Sequence, residues 1–514
     1  MILAVTGSAV GLGNFLRFPG QAAQYGGGAF LIPYLIAFLL VGLPLAWVEW
    51  SLGRYGGASG HHSAPGILRA ITGRRSASYI GMLGTLMPVM IYMYYVFISA
   101  WCLAYAWDFA TGAFSQLGGD TEAISAHFFR VVGAEAHGAL FASGAARMLV
   151  FLAVCFILNF VLIYRGLNRG IEKFCNVAMP LLVLIAVVVL VRVLTLPPQA
   201  HNPDQNILNG LGAMWNPVQP GQTWGEVLAN PEMWLAATGQ IFFSLSLGFG
   251  LILTYSSYLR KDDDVALSAL TSCAGNGFCE VVLGGMIAIP AAFVLLGPAI
   301  VADPPGTFGM GFVALPSVFN LMPGGAFFGF LFFFLLFLAA VTSSLSMLQP
   351  AIALLEEGLG LTRKPSVAIL SVITLTGCLF IVYFSKGFTA LDTIDFWVAN
   401  FFIFIFTTVQ AILFGWVLGI DRGFEELSRG AEIKLPLLLK PVIRYVTPVY
   451  LLAVFAAWCV KSLPQRMTAL FAAPEDGGPP VVLLSLGLII ACFAFFTLLV
   501  RQANRVWDRE ETTP

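Results

Sequence analysis

Long apolar stretches, separated by short polar breaks, follow one another along the whole chain. Most of them reach or exceed the roughly 20 apolar residues that an α-helix needs to cross a bilayer. They are continuous and lack the alternating pattern of a membrane β-barrel. We therefore predict twelve membrane-spanning helices, called spans 1 to 12. Their predicted positions are 1–24, 29–52, 78–110, 146–165, 174–196, 232–258, 264–296, 326–357, 366–384, 389–418, 442–461 and 479–501.

The composition agrees with this pattern. Of the 514 residues, 58% are hydrophobic and 10% are charged, and the mean hydropathy is +0.86. A soluble domain carries about one-quarter charged residues, so soluble enzymes, nucleic-acid-binding proteins and disordered proteins are excluded. The net charge of −1 gives no electrostatic reason to expect nucleic acid as a partner. The class predicted is an all-α polytopic protein whose surroundings are the lipid bilayer.

The basic residues orient the spans. Placing the N-terminus inside puts most of the 26 lysine and arginine residues on the inner side. We therefore predict a multi-pass protein of the plasma (inner) membrane with both termini in the cytoplasm. The chain is already apolar at Met1, so we expect the native chain to have a longer N-terminus. The Gly- and Pro-rich loop at 297–325 carries Phe308, Phe312 and Leu315 and is predicted to fold inward as a cap.

Spans 1 and 6 combine glycine with polar residues at mid-membrane depth. Span 1 contains GSAVGLGNFLRFP from Gly7 to Pro19, and span 6 contains FFSLSLGFG from Phe242 to Gly250. Glycine destabilises a helix by about 1 kcal/mol relative to alanine, so each stretch is a candidate for an unwound segment that lines a cavity. Close packing through small residues explains either stretch alone equally well. Because spans 1 and 6 open two successive sets of five helices, the pair favours an inverted-repeat transporter with a site at the membrane midplane.

These motifs carry a resemblance to a known family. Together with YGGGAFLIPY, WVEWSLGRYGG, TSSLSMLQP and DFW, they are similar in sequence and order to the neurotransmitter:sodium symporter family, and closest to its bacterial leucine-transporter branch. The likeness extends from the first residue to about span 12. It implies the leucine-transporter fold, with 12 transmembrane helices, a 5+5 inverted repeat and broken helices 1 and 6. The organisation implied is 1–196 (first repeat, spans 1–5, its N-terminus apparently truncated), 197–231 (extracellular loop), 232–418 (second repeat, spans 6–10) and 419–514 (spans 11 and 12 with the cytoplasmic C-terminus).

The resemblance implies two sodium sites, with Na+ as the coupling ion. The first comprises Ala9, Asn14, Ser244 and Asn276 together with the substrate carboxylate, and Ser244 keeps the hydroxyl of the threonine found in the leucine transporters. The second comprises Gly7, Val10, Ala339, Thr342 and Ser343. Considered without the resemblance, the Thr342 and Ser343 hydroxyls favour ordinary hydrogen bonds to the preceding helical turn.

The implied substrate site lies between the two broken helices. A substrate carboxylate suits the amides around Gly11 and Leu12 and the Tyr95 hydroxyl, and an amino group suits nearby carbonyls. The lining is uncharged, which indicates a neutral, apolar amino acid; ordinary packing remains the alternative for each aromatic side chain. The substrate-binding residues expected are Ala9, Gly11, Leu12, Ile91, Tyr95, Phe243, Ser244, Ser246, Phe249, Ser343 and Met347.

Charged side chains indicate gates on both sides of that site. Arg17 and Asp395 are expected to face each other across the outer vestibule, with Phe243 as a lid beneath them. Glu357 stands at the acid position of the inner gate, but the Arg-x-x-Trp that pairs with it in the family does not precede Met1. Glu49, near the inner end of span 2, is expected to be a structural group.

Glu280 is the remaining acid of interest. Animal members of the family bind chloride with a Tyr, a Gln and hydroxyls, and Tyr34, Gln240, Ser244 and Asn276 match those positions here. Glu280 lies four residues after Asn276, on the same face of span 7, where its carboxylate would supply the negative charge of chloride. We therefore expect chloride-independent transport and protonation of Glu280 on the empty return step. The alternative is a purely structural carboxylate.

We predict a sodium-coupled symporter that imports neutral, apolar amino acids by alternating access. We do not expect the protein to be an enzyme. The alternatives are the same fold carrying aromatic amino acids or another small amine, and a non-transporting sensor. Gly11 takes the position at which amine carriers have an acid, which argues against an amine. A membrane enzyme would need a His, Cys or carboxylate cluster at the midplane, and a channel would need repeated pore segments or charge rings. The sequence shows neither, and it leaves a homodimer open.

Overall fold

The computed structural model describes residues 2–142, 146–218, 223–302, 306–471 and 478–512. In these ranges ten helices are long and apolar enough to cross a membrane. They correspond to predicted spans 2–5 and 7–12. Their bounds are Gly28–Ala58, Arg75–Ala110, Arg147–Tyr164, Arg169–Leu194, Val265–Leu296, Gly325–Leu359, Arg363–Tyr383, Lys386–Val417, Leu439–Lys461 and Val481–Arg509.

Spans 1 and 6 are the two interrupted helices that their glycine and serine content predicts. Span 1 consists of Ile2–Ala9, Gly13–Arg17 and Phe18–Gln24, with a break at residues 10–11. Span 6 consists of Pro231–Leu245 and Leu251–Ser256, with a break at residues 246–250. The two broken helices and the ten long ones account for the twelve predicted spans within the described residues.

Wide π-helical turns occur in several spans. Three of them contain polar residues of the predicted sites: Gly13–Arg17 in span 1, Phe278–Gly285 in span 7 and Asp395–Phe402 in span 10. Such turns insert a residue into the helix and are frequent at functional sites. The other π-helical turns are Phe38–Gly42, Leu167–Glu172, Met310–Ala314, Leu413–Val417 and Val442–Val446.

Shorter helices cover the two ends of the bundle. The loop predicted as a cap contains an apolar helical stretch, Gly306–Leu321. Within it Phe312 and Leu315 are fully buried, and Phe308 contacts Trp101 edge-to-face with ring centroids 5.5 Å apart. The remaining short helices are Ala64–Thr72, Ala113–Gln116, Thr121–Val131, Ala139–Phe141, Ile207–Trp215, Trp224–Leu228, Ala299–Ala302 and Ile420–Ser428.

The end of the bundle opposite the cap carries the C-terminal helix. Span 12 continues past its predicted end and packs against the loop that joins spans 2 and 3 and against the start of span 3. In the loop, Arg69 pairs with Asp508 at 2.9 Å, and in span 3 the Ser78 hydroxyl accepts a hydrogen bond from the Asn504 side chain at 2.7 Å. We call this end the tail face and the opposite end the cap face.

Candidate functional site

The break in span 1 redirects backbone N–H groups. The Gly11 N–H donates to the Asn14 side-chain oxygen at 2.8 Å, and the Asn14 N–H donates to the Gly11 carbonyl at 3.2 Å. In a continuous helix these two N–H groups would bond to the carbonyls of Gly7 and Val10, four residues earlier. The break therefore leaves the carbonyls of Gly7 and Val10 without the N–H donors they would have in a helix. Both carbonyls are predicted sodium ligands.

The break in span 6 depends on left-handed backbone conformations. Ser246, Gly248 and Gly250 have φ angles of +56°, +78° and +72°. The Gly248 N–H donates to the Glu49 carboxylate at 2.8 Å. The Ser246 hydroxyl donates to the Ser8 carbonyl of span 1 at 3.1 Å, which joins the two breaks. Glu49 is thus the structural group that its position predicted, and its specific role is to hold the unwound segment.

A small central cavity of about 20 Å³ lies between the two breaks. Most of the residues predicted to bind substrate line it. Leu12 and Ser244 do not, while Ser8, Gly13 and Leu251 line it without having been predicted. A cavity of this size holds about one water molecule, so an amino acid can enter only if the walls move apart. The lining is Ser8, Ala9, Gly11, Gly13, Ile91, Tyr95, Phe243, Ser246, Phe249, Leu251, Ser343 and Met347, none of which is charged.

The hydroxyls predicted for the second sodium site lie in span 8, which packs against span 1. The Ser343 hydroxyl is buried and has no hydrogen-bond partner among the described residues. The Thr342 hydroxyl bonds to the Leu338 and Ala339 carbonyls at 3.1 and 3.0 Å, the local bonding that the residues alone favoured. A hydroxyl that donates its proton in this way keeps its lone pairs. The oxygens of this region therefore suit a hard cation such as sodium.

A chain of buried polar side chains joins the predicted first sodium site to Glu280. Asn14 donates to the Asn276 side-chain oxygen at 2.8 Å, and the Asn276 amide donates to the Ser244 hydroxyl at 2.7 Å. The Ser244 hydroxyl donates to the Glu280 carboxylate at 2.7 Å. All four residues are at most 1% exposed. The region offers oxygen ligands next to a negative charge, a chemistry that fits a monovalent cation.

The Glu280 carboxylate also accepts hydrogen bonds from spans 2 and 6. The Tyr34 hydroxyl donates at 2.5 Å, and the Gln240 side chain donates to the other carboxylate oxygen. The same Gln240 nitrogen donates to the Gly13 carbonyl at 3.1 Å. The structure therefore brings together the residues that the resemblance placed around this acid. No lysine, arginine or histidine in the described ranges forms an ion pair with it.

A larger cavity of about 310 Å³ opens on the cap-face side of Phe243. Gly13, Tyr95 and Phe243 line both this cavity and the central one, so the Phe243 ring separates the two. Other lining residues are Leu12, Leu16, Arg17, Gln21, Tyr94, Ile98, Thr307, Phe308, Leu391, Asp392 and Asp395. Sequence reasoning missed Asp392, although it lies three residues before Asp395 and therefore on the same helix face.

Arg17 and Asp395 both line the outer cavity but have different partners. The Arg17 guanidinium lies over the Phe243 ring, 4.7 Å from its centroid. The Asp395 carboxylate accepts hydrogen bonds from Tyr94 at 2.6 Å and from Asn400 at 3.0 Å. Within the described residues these two charges form no ion pair at 4.0 Å or less. The two side chains predicted to form the outer gate are therefore unpaired with each other across this cavity.

Glu357 holds the loop that joins spans 2 and 3. Its carboxylate accepts the Ser63 N–H at 3.2 Å, and also the His62 N–H and the Ser63 hydroxyl. The acid predicted for the inner gate thus bonds to a neighbouring loop on the tail face.

Comparison with protein families identifies the chain. The family model described as "Sodium:neurotransmitter symporter family" matches residues 1–116 and 113–503. The chain belongs to the sodium:neurotransmitter symporter family. This confirms the resemblance inferred from the motifs, and it makes the protein a sodium-dependent transporter and not an enzyme.

Individual relatives agree with the family. The chain is 30% identical over 459 residues to a sodium-dependent transporter of Methanocaldococcus jannaschii, covering 88% of this chain and 87% of that protein. It is 27% identical over 484 residues to the sodium-dependent serotonin transporter of Drosophila melanogaster, covering 88% and 74%. Among solved structures, the crystal structure of MhsT in complex with L-phenylalanine matches with a TM-score of 0.74 and 25% identity, covering 89% of this chain and 97% of that one. MhsT has the leucine-transporter fold, so the predicted fold class is confirmed.

Proposed function

We propose that this symporter-family protein imports a neutral, apolar amino acid together with sodium, by alternating access, across the plasma membrane. The tail face is then the cytoplasmic face and carries both termini. The observation that carries the proposal is the uncharged central cavity between two helix breaks, next to buried oxygen ligands. MhsT, a relative of known structure, is solved with an amino acid, L-phenylalanine.

The substrate carboxylate is proposed to bind at the break in span 1. The Leu12 N–H donates to the Tyr95 hydroxyl oxygen at 3.2 Å. Because that oxygen acts as the acceptor, the Tyr95 hydroxyl proton remains available to donate to a carboxylate. The N-terminal end of the outer half of span 1 adds a partial positive charge at the same place. The substrate amino group is proposed to lie near the carbonyls of Ala9, Phe243 and Ser244.

Sodium is proposed to bind at two places, as a transported ion. In the first, the Asn14 and Asn276 amides, the Ser244 hydroxyl and the Ala9 carbonyl would share the ion with the substrate carboxylate, so that each ligand favours binding of the other. In the second, the Gly7 and Val10 carbonyls would act with Ala339, Thr342 and Ser343. The redirected N–H groups of the first break and the unpartnered Ser343 hydroxyl support this second site.

Glu280 is proposed to make transport independent of chloride. Its buried carboxylate provides a fixed negative charge beside the first sodium site, and a second anion in the same pocket would be repelled. When sodium leaves, the buried charge becomes unfavourable, so we propose that Glu280 takes up a proton on the return step. Its hydrogen bonds to Tyr34, Gln240 and Ser244 support an ionised acceptor while sodium is bound.

An aromatic amino acid is a second candidate substrate, favoured by the phenylalanine in MhsT and by the flexible Met347 side chain in the cavity wall. A small amine without a carboxylate is disfavoured. A Cβ atom on Gly11 would lie 2.5 Å from the Ser343 hydroxyl and 2.8 Å from the Tyr95 hydroxyl, so no acidic side chain fits there to bind an amine.

The test is uptake of labelled amino acids into proteoliposomes that contain the purified full chain. With an inward sodium gradient we expect accumulation of one or a few neutral amino acids, and with potassium in place of sodium we expect none. Binding of the same amino acids without accumulation would favour the non-transporting sensor. Accumulation at the full rate in potassium would contradict sodium coupling.

A further inference from the structure

Span 4 carries one amide side chain at membrane depth. Residues 148–163 are otherwise apolar, apart from the thiol of Cys155, and Ile157 is exposed on the surface of the bundle. Asn159 is fully buried instead. Its Nδ2 atom donates to the Cys155 carbonyl at 2.8 Å, and its Oδ1 atom accepts the Ser344 hydroxyl of span 8 at 2.7 Å. Both ends of this amide are therefore bonded, as a polar group in the membrane requires.

The direction of the bond between the two spans follows from its partners. A carbonyl can only accept, so the amide nitrogen of Asn159 faces Cys155 and the amide oxygen faces Ser344. The Ser344 hydroxyl is therefore the donor. The Val341 carbonyl, 3.0 Å from the same hydroxyl, is a second acceptor within span 8. Loss of the Asn159 side chain would thus leave Ser344 with a hydrogen bond but would break the link between the spans.

Ser344 directly follows two proposed ligands of the second sodium site, Thr342 and Ser343. The Ser343 hydroxyl lies at the break in span 1, since a Cβ atom on Gly11 would be 2.5 Å from it. Successive residues of an α-helix point about 100° apart, so the direction of Ser344 sets the directions of both ligands. Given the helix radius, a rotation of span 8 by about 10° moves a hydroxyl oxygen by about 0.8 Å.

We propose that Asn159 is a positioning residue for the second sodium site: it holds span 8 in the rotation that presents Thr342 and Ser343 to the break in span 1. The inference rests on the proposed function, because that sodium site is itself a proposal. Asn159 does not contact the ion. Among the described residues, its bond to Ser344 is the one side-chain hydrogen bond between spans 4 and 8.

A second hydrogen bond holds span 8 from almost the opposite side. The Tyr255 hydroxyl of span 6 donates to the Ser346 hydroxyl at 2.9 Å. Ser344 and Ser346 point about 200° apart around the helix, so the two bonds together resist rotation in both directions. Without the Asn159 bond, the apolar contacts of span 8 remain, but apolar contacts are not directional. The ion site should therefore loosen while the fold persists.

The experiment uses two variants that remove the same bond from its two sides. Asn159→Leu has a similar size and removes the amide, and Ser344→Ala removes the hydroxyl. Ser366→Ala is the control, because this buried hydroxyl of span 9 bonds to the Thr362 carbonyl four residues earlier at 3.0 Å. The readout is the melting temperature of the purified full chain as sodium replaces choline without substrate, since an ion that binds the folded state stabilises it. The same titration is repeated with lithium.

We expect the half-saturating sodium concentration to rise about fivefold in Asn159→Leu and in Ser344→Ala, the size of one hydrogen bond between membrane helices. The double variant should show no further rise, because both changes remove one bond. The half-saturating lithium concentration should change little, since selectivity between hard cations depends on the size and rigidity of the site. Ser366→Ala should titrate like the wild type, and all variants should melt close to the wild type in choline.

A lower melting temperature in choline with an unchanged sodium midpoint would overturn the positioning role and make Asn159 a structural amide. Additive shifts in the double variant would overturn it as well. If Asn159→Leu does not fold, Ser344→Ala decides, because it removes the same bond.

Thr342→Ala separates this inference from the proposed function. If Thr342→Ala raises the sodium midpoint and Asn159→Leu does not, the sodium site stands and the positioning role is wrong. If neither variant raises it, the second sodium site is wrong, and the inference fails with it.

Discussion

Glu280 is a carboxylate with no exposed surface, placed in a wide helical turn where donors from spans 2 and 6 converge on it. Chloride, in a relative that lacks this acid, would have to bring the same charge from solution. We therefore expect wild-type uptake to be unchanged when gluconate replaces chloride. Glu280→Ser should transport only with chloride present, because the serine leaves the Tyr34 and Gln240 donors without an anion.

Glu122→Ser is the control for this prediction, since Glu122 is an exposed acid of the cap-face helix Thr121–Val131. It should show no chloride requirement. If wild-type uptake stops when chloride is removed, the proposal that the Glu280 carboxylate replaces chloride is wrong. A Glu280→Ser variant that folds and stays inactive with chloride would favour the purely structural role.

The two proposed sodium sites differ in what they share with the substrate. Thr342→Ala should raise the sodium concentration needed for half-maximal uptake about tenfold even when substrate is saturating, because one ligand oxygen is lost. Thr376→Ala is the matched control: the Thr376 hydroxyl makes the same bond to the carbonyl four residues earlier, but on the exposed side of span 9. If the two variants behave alike, Thr342 is not a ligand.

Asn14→Ala should weaken sodium and substrate binding together. The coupling is reciprocal when one ligand set serves both, and Asn14 also holds the Gly11 N–H beside the proposed carboxylate position. Isothermal titration of substrate at several sodium concentrations measures both affinities. Loss of sodium affinity with substrate affinity unchanged would place Asn14 outside a shared site.

At the scale of one element, the folding of span 6 requires the left-handed backbone of its break. Gly248→Ala adds a Cβ that overlaps the Thr407 hydroxyl, at a φ of +78° where a side chain destabilises the backbone by about 1–2 kcal/mol. We expect a lower melting temperature and little folded protein. Gly239→Ala is the control in the same span, since a Cβ there meets nothing within 4 Å. Gly239→Ala should fold like the wild type. If both variants lose melting temperature and folded protein equally, the left-handed conformation at Gly248 is not what span 6 requires.

The sequence predicts the helix breaks but not the wide turns, and the reason is physical. Glycine and serine at mid-membrane depth are visible in composition, because each weakens a helix or supplies a local hydrogen bond. A π-helical turn such as Asp395–Phe402 has no such signal. It is stabilised by contacts that only the fold creates, including the bond from the Asn400 side chain to the Asp395 carbonyl at 3.1 Å. The extension of span 12 beyond residue 501 likewise depends on its packing against the tail face.

At the scale of the whole molecule, the central cavity collects side chains from spans 1, 3, 6 and 8. Composition alone could not have predicted that Ile91 and Met347 line the same cavity. The ordered motifs predict it because members of the family share one fold. What the motifs could not predict is the conformational state. Arg17 and Asp395 were expected to face each other, but in the structure Arg17 lies over the Phe243 ring and Asp395 accepts a hydrogen bond from Tyr94.

The outer gate supplies the last prediction. Closing the cap-face cavity must bring the Arg17 guanidinium towards a carboxylate, because two unpaired charges enclosed away from water are costly. Asp395 is the better placed acid, since Tyr94 and Asn400 already orient it, whereas Asp392 is more exposed to solvent. Asp395→Asn keeps the size of the side chain and removes the charge. We expect its turnover to fall about tenfold while its melting temperature stays close to wild type, because a partly hydrated pair contributes about 0–1 kcal/mol to folding.

Asp392→Asn tests whether any negative charge in the cavity serves equally well. It removes one charge from the same wall and leaves the Tyr94–Asp395–Asn400 bonds intact, so its turnover should stay within about twofold of wild type. Initial uptake rates and the half-time of bound-substrate release, measured on all three proteins at equal reconstitution, separate the cases. If Asp395→Asn transports and releases substrate like the wild type, Asp395 is not the gate acid. If both variants slow equally, the cavity needs net negative charge and no specific partner for Arg17.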